Sequence, residues 1–208
     1  SLHDALPISV LQGLKAAAAQ AARTALQAKS PEELVNEVLI PALDTVGAGF
    51  EKGVLFLPQL LQSAGAAQAA FEVVKDAIAA SGKKSGGKGK IIVATVKGDI
   101  HDIGKNIVKT LLENYGYDVL DLGRDVPAET VVKAAQEHGV RLVGLSALMT
   151  TTLGSMEETI CALRRAGLSC RVMVGGAVLT PEYAMHIGAD YYAKDAKQSV
   201  DIAREVLG

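Results

Sequence analysis

Five short apolar runs, separated by stretches with helical periodicity, constrain the fold more than any other feature of the sequence. The runs are 91–95, 118–120, 142–145, 172–174 and 191–193. Short apolar strands that alternate with helices are typical of a parallel, doubly wound sheet whose two faces are both covered by helices. The sequence therefore predicts an α/β fold, with a five-stranded, flavodoxin-like (Rossmann-like) sheet and helices on both faces.

Residues 10–81 follow a different pattern, with apolar residues at three- and four-residue spacing, many Ala and Leu residues, and no β-branched runs. This pattern predicts an N-terminal cap domain of four α-helices. One helix begins at a capping box formed by Ser30 and Glu33, with Pro31 at the first helical position. The other predicted boundaries are breaks at Pro41 and Gly53 and a helix start at Pro58.

Residues 82–90 consist almost wholly of Gly, Lys and Ser, so they cannot bury enough apolar surface to order themselves. We interpret them as a flexible linker between the helical domain, 10–81, and an α/β domain, 91–208. Residues 1–9 have no initiator Met and no signal-peptide pattern. They are interpreted as a truncation edge, so the chain is expected to have been cut from, or to belong to, something longer.

The composition excludes several classes of partner. The net charge is -2, with 21 Lys and Arg against 23 Asp and Glu and 4% aromatic residues, which argues against nucleic-acid binding. No apolar run reaches the roughly 20 residues of a membrane helix. Cys161 and Cys170 cannot form a disulfide framework, and their spacing with the four histidines matches no zinc site. We expect a cytoplasmic protein without a membrane partner.

In a sheet with strand order 2-1-3-4-5, ligands bind at the carboxyl ends of the strands, near the switch between strands one and three. Unusual residues follow strands one, three and four, in segments 98–104, 146–152 and 175–177. The turn after strand two, 122–127, ends with a proline at the start of a helix and is assigned a structural role.

A histidine beside a carboxylate is the main chemical feature of these segments. Asp99 can accept a hydrogen bond from one ring nitrogen of His101 and make the other a better metal ligand. One histidine is too few for a zinc site, but a single axial nitrogen suffices when a macrocycle supplies the four equatorial ligands. The alternative is an ordinary hydrogen-bonded loop histidine.

The small and hydroxylated residues of the same segments have two interpretations. Glycines that follow strands let an extended ligand lie against bare backbone, or they serve turns that need positive φ. Hydroxyl side chains face the expected ligand crevice, or they cap helices. The residues concerned are Gly104, Ser146, Thr150, Thr151, Thr152, Gly175 and Gly176.

Together these residues resemble the cobalamin-binding signature of corrinoid-dependent methyltransferases. The signature elements are Asp99-x-His101-x-x-Gly104, Ser146-x-Leu148 and Gly175-Gly176. Segments 49–53 and 56–59 are similar to the family's helical cap. Segments 94–106 and 193–196 are most similar to methionine synthase, which we favour. The stand-alone corrinoid proteins of methylamine and methanol metabolism are the alternative.

The resemblance implies a role for each residue of the signature. His101 would replace the displaced benzimidazole as the lower axial ligand of cobalt, and Asp99 would hydrogen-bond His101. Thr152 stands where the family often has a serine in the same relay. The remaining cofactor contacts would come from Asp102, Gly104, Ser146, Leu148, Thr150, Gly175 and Gly176.

The resemblance also implies that Phe50 and Leu57 lie over the upper face of the corrin and shield the methyl-cobalt bond. Their alternative role is as ordinary core residues beside helix ends.

The implied function is to bind cobalamin, as methylcobalamin or hydroxocobalamin, and to carry a methyl group on cobalt. Such a chain is the cobalamin-carrying component of a methyltransferase and is not expected to act alone. Its partners would be methyl-donor and methyl-acceptor modules, on another chain or on missing sequence, and a reductive activation partner.

Three functions from other classes compete with this interpretation. A phospho-accepting receiver needs an aspartate at the end of strand three, where the chain has Ser146. A cobalamin-dependent mutase or sensor shares the histidine motif but has a different cap. A plain interaction module would take up no cobalamin.

Overall fold

The computed structural model describes residues 2–80 and 87–208. These residues form two compact units. A helical unit comprises the described residues up to 80 together with Asn114–Gly116, and an α/β unit comprises Gly87–Glu113 and Tyr117–Gly208. Residues 82–86 of the linker predicted from the sequence lie outside the described residues, and the linker assignment stays a prediction.

The helical unit contains five α-helices and one π-helical segment. They are α1 (Leu2–Leu11), α2 (Lys15–Ala25), α3 (Pro31–Leu34), the π segment Val35–Leu39, α4 (Ile40–Glu51) and α5 (Leu57–Ala80). Leu6 and Val10 of α1 are buried, so this segment packs into the unit although most of it belongs to the interpreted truncation edge.

Most of the predicted helix boundaries are confirmed. The capping box is present, since the Ser30 N–H donates to Glu33 Oε2 at 2.8 Å and the Glu33 N–H donates to Ser30 Oγ at 3.2 Å. Gly53 ends α4 with a φ of 69°, a left-handed conformation that glycine adopts without strain. Pro58 lies in the first turn of α5, where its missing N–H leaves no hydrogen bond unmade.

The predicted break at Pro41 is wrong. The chain stays helical from Pro31 to Glu51, because the wide turn Val35–Leu39 changes the hydrogen-bond pattern just before the proline. Pro41 then occupies the first turn of α4, where a proline is tolerated. The sequence shows the proline but not the π-helical turn that accommodates it.

The α/β unit is a five-stranded parallel sheet with the order β2-β1-β3-β4-β5, as predicted. Its strands are β1 (Lys90–Thr95), β2 (Asp118–Asp121), β3 (Leu142–Ser146), β4 (Arg171–Gly175) and β5 (Tyr191–Tyr192). Its helices are α6 (Ile103–Asn114), α7 (Ala128–His138), α8 (Leu153–Arg165), α9 (Pro181–His186) and α10 (Ala196–Leu207).

The core of this unit lies on both faces of the sheet. Ile92 of β1 and Val143 of β3 are fully buried in a cluster with side chains of α7, α8 and α9. The alternate residues Ile91 and Leu142 are equally buried and point to the opposite face. Helix α10 packs on β3 and β4. Both faces are covered, as expected for strands that consist almost entirely of apolar residues.

None of the described helices combines the length and the apolarity needed to cross a membrane.

Candidate functional site

The segments that follow β1 and β3 meet at the carboxyl edge of the sheet. Thr95 ends β1 and Ser146 ends β3, and their hydroxyls are hydrogen-bonded at 3.0 Å. The Thr95 hydroxyl also donates to the backbone carbonyl of His101 at 3.3 Å. The segment Lys97–Lys105, here called the His101 loop, is therefore tied to the ends of two neighbouring strands.

Asp99 is the centre of a hydrogen-bond network in this loop. Its side chain is completely buried. Oδ1 accepts from the backbone N–H of His101 at 3.0 Å and lies 2.8 Å from His101 Nδ1. Oδ2 accepts from the N–H groups of Leu148 at 2.7 Å and Met149 at 3.2 Å, and from the Thr152 hydroxyl at 2.8 Å. The buried carboxylate thus has several donors on each oxygen.

These donors determine the charge of Asp99. Burial by itself would raise the pKa of the carboxyl group, because it disfavours the ionised form. Hydrogen bonds from the N–H groups of His101 and Leu148, and from the side chains of His101 and Thr152, outweigh burial and hold the pKa well below its usual range. Asp99 is therefore ionised at neutral pH.

The ionised carboxylate selects one tautomer of His101. An ionised carboxylate only accepts hydrogen bonds, so Nδ1 carries the proton that faces Asp99, and in the neutral imidazole Nε2 has the lone pair. The His101 side chain is 44% exposed, and among the described residues no hydrogen bond to Nε2 is found. His101 therefore presents Nε2, which has no partner within the described part of the chain, at the edge of the sheet.

Exposed apolar side chains adjoin His101. Ile100 is 61% exposed and Ile103 is 76% exposed, and the two flank His101 in its loop. Leu148 is also exposed, and its N–H is bonded to Asp99. We call these three residues the apolar collar. Sequence analysis singled out Leu148 but missed both isoleucines, whose only signal was their apolar character within a polar loop.

The other predicted site residues of this unit also lie at the carboxyl edge. Asp102 precedes α6, and its carbonyl accepts the N–H of Asn106 at 2.8 Å. Gly104 lies in the first turn of α6, and a Cβ built there would meet no atom within 4 Å. Thr150 begins the 3-10 turn Thr150–Thr152 that leads into α8.

Neighbouring backbone lies close to Gly175 and Gly176, which gives a structural reason for glycine at these positions. A Cβ at Gly176 would lie 1.8 Å from the carbonyl oxygen of Ala147, and its φ is 142°. A Cβ at Gly175 would lie 3.1 Å from the carbonyl oxygen of Ala193. The close approach of the neighbouring backbone therefore requires Gly176, whatever ligand it also contacts.

Phe50 and Leu57 lie in the helical unit, at the end of α4 and the start of α5. Phe50 is half-buried, and Leu57 is 39% exposed, so Leu57 is not a core residue. Val54 and Phe56, which sequence analysis did not select, are more exposed still. The proposed role of Phe50 and Leu57 above the corrin stays a prediction.

Two family models match the chain. A model described as a B12 binding domain matches residues 89–201, and a second model with the same description matches residues 2–75. The chain belongs to the family of B12-binding corrinoid proteins. The family resemblance inferred from the sequence is confirmed.

Individual proteins support the same family. Dimethylamine corrinoid protein 2 of Methanosarcina mazei is 42% identical over 208 residues, which cover 99% of this chain and 97% of the relative. A crystal structure of the methanol:cobalamin methyltransferase complex of Methanosarcina barkeri matches with a TM-score of 0.87 at 31% identity, covering 99% of this chain and 79% of that one.

The crystal structure of a cobalamin-binding protein from Desulfitobacterium hafniense is also similar, with a TM-score of 0.83 at 31% identity. The match covers 100% of this corrinoid protein and 99% of the Desulfitobacterium chain. The similarity to these proteins favours the stand-alone corrinoid proteins over methionine synthase. The preference for methionine synthase, which depended on two short segments, is not supported.

Proposed function

We propose that this corrinoid protein carries a methyl group on cobalamin within a methylamine or methanol methyltransferase system, with His101 Nε2 as the lower axial ligand. The observation that carries the proposal is the hydrogen bond of 2.8 Å between His101 Nδ1 and the buried Asp99, which leaves Nε2 free at an exposed apolar surface. When bound, cobalamin supplies a cobalt ion that accepts and releases the methyl group.

The residues of the site fit such a cofactor. A corrin already surrounds cobalt with four nitrogens, so the protein needs to supply one axial nitrogen, which His101 can do. The apolar collar offers a surface for the apolar edge of the ring, and the open space beside Gly104 leaves room for a bulky group. Ser146, Thr150, Asp102, Gly175 and Gly176 stay candidates for contacts with the nucleotide tail.

Asp99 orients and tunes His101 in this proposal. The carboxylate accepts the hydrogen bond from Nδ1, fixes the orientation of the ring and leaves Nε2 to bind the metal. Asp99 would thereby orient the ring that holds the metal, through the contact of 2.8 Å between its Oδ1 and His101 Nδ1.

Thr152 keeps Asp99 in place. Its buried hydroxyl lies 2.8 Å from Asp99 Oδ2 and 2.9 Å from the carbonyl oxygen of Met149. A hydroxyl has one proton, so it can donate to only one of these acceptors at a time. The charged carboxylate is the stronger acceptor, and we assign the proton to the bond with Asp99. Threonine thus supplies the hydroxyl that the family often takes from serine.

Methylamines are the favoured class of methyl donor. The relative with 42% identity is named for dimethylamine, whereas the methanol complex matches at 31% identity. We propose that separate methyltransferase chains bring the methyl donor and the methyl acceptor to cobalt, and that a reductive partner restores cobalt after oxidation.

The test is a visible spectrum of the purified protein mixed with hydroxocobalamin and then with methylcobalamin. We expect stoichiometric binding with a spectrum of histidine ligation, and loss of that signature in His101→Ala with the corrin still bound. His138→Ala, which removes an exposed histidine at the far end of α7, should behave as wild type. An unchanged spectrum in His101→Ala, or no binding by the wild type, contradicts the proposal.

A further inference from the structure

The turn after β2, to which the sequence assigned only a structural role, contacts the start of the His101 loop at Gly98 and Asp99. We propose that Asp125 in this turn is a positioning residue that holds Gly98 and Asp99 so that His101 Nε2 stays where cobalt is bound. This inference rests on the proposed function, because it assumes that His101 is the ligand.

Asp125 makes two reciprocal hydrogen bonds with the His101 loop. Its Oδ1 accepts the N–H of Gly98 at 2.7 Å, and its own N–H donates to the carbonyl of Asp99 at 2.9 Å. Asp99 is the residue whose side chain orients His101. A shift of the Asp99 backbone would therefore move both the carboxylate and the imidazole that it holds.

The backbone of Asp125 has a conformation that is uncommon for a residue with a side chain. Its φ is 53°, and within the described ranges it is the only residue other than glycine with a positive φ. Glycine adopts this conformation without steric cost, and Gly123, two residues earlier, has a φ of 92°. Geometry alone would be served better by glycine, so the carboxylate at this position points to a function of its acceptor oxygen.

Backbone hydrogen bonds join the residues around Asp125 to β1. The Val126 N–H donates to the Thr95 carbonyl at 3.0 Å, and the Thr95 N–H donates to the Gly123 carbonyl at 2.9 Å. Val96 and Val126 form a further parallel bridge. The turn thus continues the pairing of β1 and β2. The hydrogen bonds of Asp125 fix the His101 loop relative to this part of the sheet.

The other end of the His101 loop is fastened to the same segment of chain. Lys105 Nζ donates to both carboxylate oxygens of Asp121 at 2.7 Å, and its side chain is 3% exposed. Asp121 also accepts the N–H of Gly123 at 2.8 Å. The loop that carries His101 is therefore held between Asp125 and Asp121. An axial ligand works only within a narrow range of positions, which requires such support.

Two substitutions separate positioning from fold stability. Asp125→Gly relieves the positive φ but loses the hydrogen bond to Gly98 and makes the unfolded chain more flexible, so the protein without cofactor should unfold at a slightly lower temperature. With methylcobalamin bound, its visible spectrum should shift toward the form without histidine, and affinity should fall about tenfold. Asp125→Asn keeps an acceptor oxygen and tolerates positive φ, so it should preserve histidine ligation.

Asp190→Gly is the matched control. Asp190 accepts the N–H of Val172 at 2.8 Å at the opposite edge of the sheet and pairs with Arg164 and Arg171. This variant should lower thermal stability and leave histidine ligation intact.

The outcomes distinguish this inference from the proposed function. Loss of histidine ligation in Asp125→Gly, with preservation in Asp125→Asn and Asp190→Gly, supports the positioning role. Wild-type ligation in Asp125→Gly overturns the inference and leaves the proposed function standing, and so does an equal loss in Asp125→Gly and Asp125→Asn. A wild-type protein that binds methylcobalamin without histidine ligation contradicts the proposed function itself.

Discussion

At the scale of single residues, the site combines groups that are costly for a protein to keep. Asp99 is a buried carboxylate, and only its several hydrogen-bond donors keep it ionised. Ile103, in contrast, exposes an isoleucine side chain to water in the absence of a ligand. Both features are explained if His101 must be held in place for a large ligand that has apolar surface.

The substitution Ile103→Gln tests the apolar collar. Ile103 is 76% exposed, so its loss should leave the unfolding temperature of the protein without cofactor nearly unchanged. Burial of a large aliphatic side chain contributes about 1.5 kcal/mol or more, so the Kd for methylcobalamin should rise about tenfold. Fluorescence or absorbance titration gives the Kd, and differential scanning calorimetry gives the stability.

Met185→Gln serves as the control, because Met185 is 54% exposed and belongs to α9, away from the carboxyl edge of the sheet. It should leave the Kd unchanged. A collar role for Ile103 is refuted by equal Kd values in the two variants.

At the scale of elements, the ion pair of the buried Lys105 and the partly buried Asp121 joins α6 to β2. Lys105 lies in the first turn of α6, where the helix dipole disfavours a positive charge. Burial would raise the pKa of Asp121, but the hydrogen bond from Lys105, the N–H of Gly123 and the charges of Lys105 and Lys109 lower it overall. The carboxylate is what makes a buried ammonium tolerable at this position.

This pair predicts a dependence of stability on pH. The folded-state pKa of Asp121 lies below its unfolded value of about 4, so its contribution is present above that pH and is lost as pH falls toward the folded pKa. Asp121→Asn should therefore lower the free energy of unfolding by about 3 kcal/mol at pH 7. The deficit should shrink as pH falls below about 4.

Urea denaturation of both proteins over this pH range measures the difference. Asp118→Asn is the control. Asp118 lies on the same strand as Asp121 and is the exposed partner of Lys90, so its substitution should lower the free energy of unfolding by at most about 1 kcal/mol. A deficit for Asp121→Asn that stays constant with pH would show that the charge of Asp121 does not stabilise the fold.

At the scale of the whole molecule, the protein resembles a carrier more than a complete catalyst. Asp99 and Thr152 are engaged in holding His101, and the exposed surface beside it includes the apolar collar. Methyl transfer also requires donor and acceptor to be held at near-attack distance from cobalt. We therefore propose that partner chains supply these binding sites.

A reconstitution experiment tests the carrier role and the class of donor. The reduced, cobalamin-loaded protein should remain unmethylated with dimethylamine alone and should become methylated when a dimethylamine methyltransferase is added. The visible spectrum of methylcobalamin reports the reaction, and His101→Ala is the control for ligation. Methylation by a methanol methyltransferase alone would shift the assignment to the methanol system, and methylation by neither would contradict both.

Much of the fold is encoded in local patterns and could be predicted from them. Apolar runs such as 91–95 and 142–145 predicted strands, because a strand covered on both faces needs apolar side chains throughout. The strand order was that of the flavodoxin-like fold to which these runs were assigned, and it is the order observed. The proximity of Asp99, His101 and Thr152 followed in turn, since the carboxyl ends of parallel strands share one edge.

The tertiary structure decided what depends on neighbours distant in the chain. The role of Asp125 depends on a partner 27 residues away, and that of Gly176 on the carbonyl oxygen of Ala147, which lies on another strand end. The continuous helix through Pro41 depends on the π-helical turn Val35–Leu39, which local helix propensity does not predict. A sequence pattern predicts whether a residue lies on the buried or the exposed face of its helix or strand. Its contacts with residues distant in the chain form only when the chain folds.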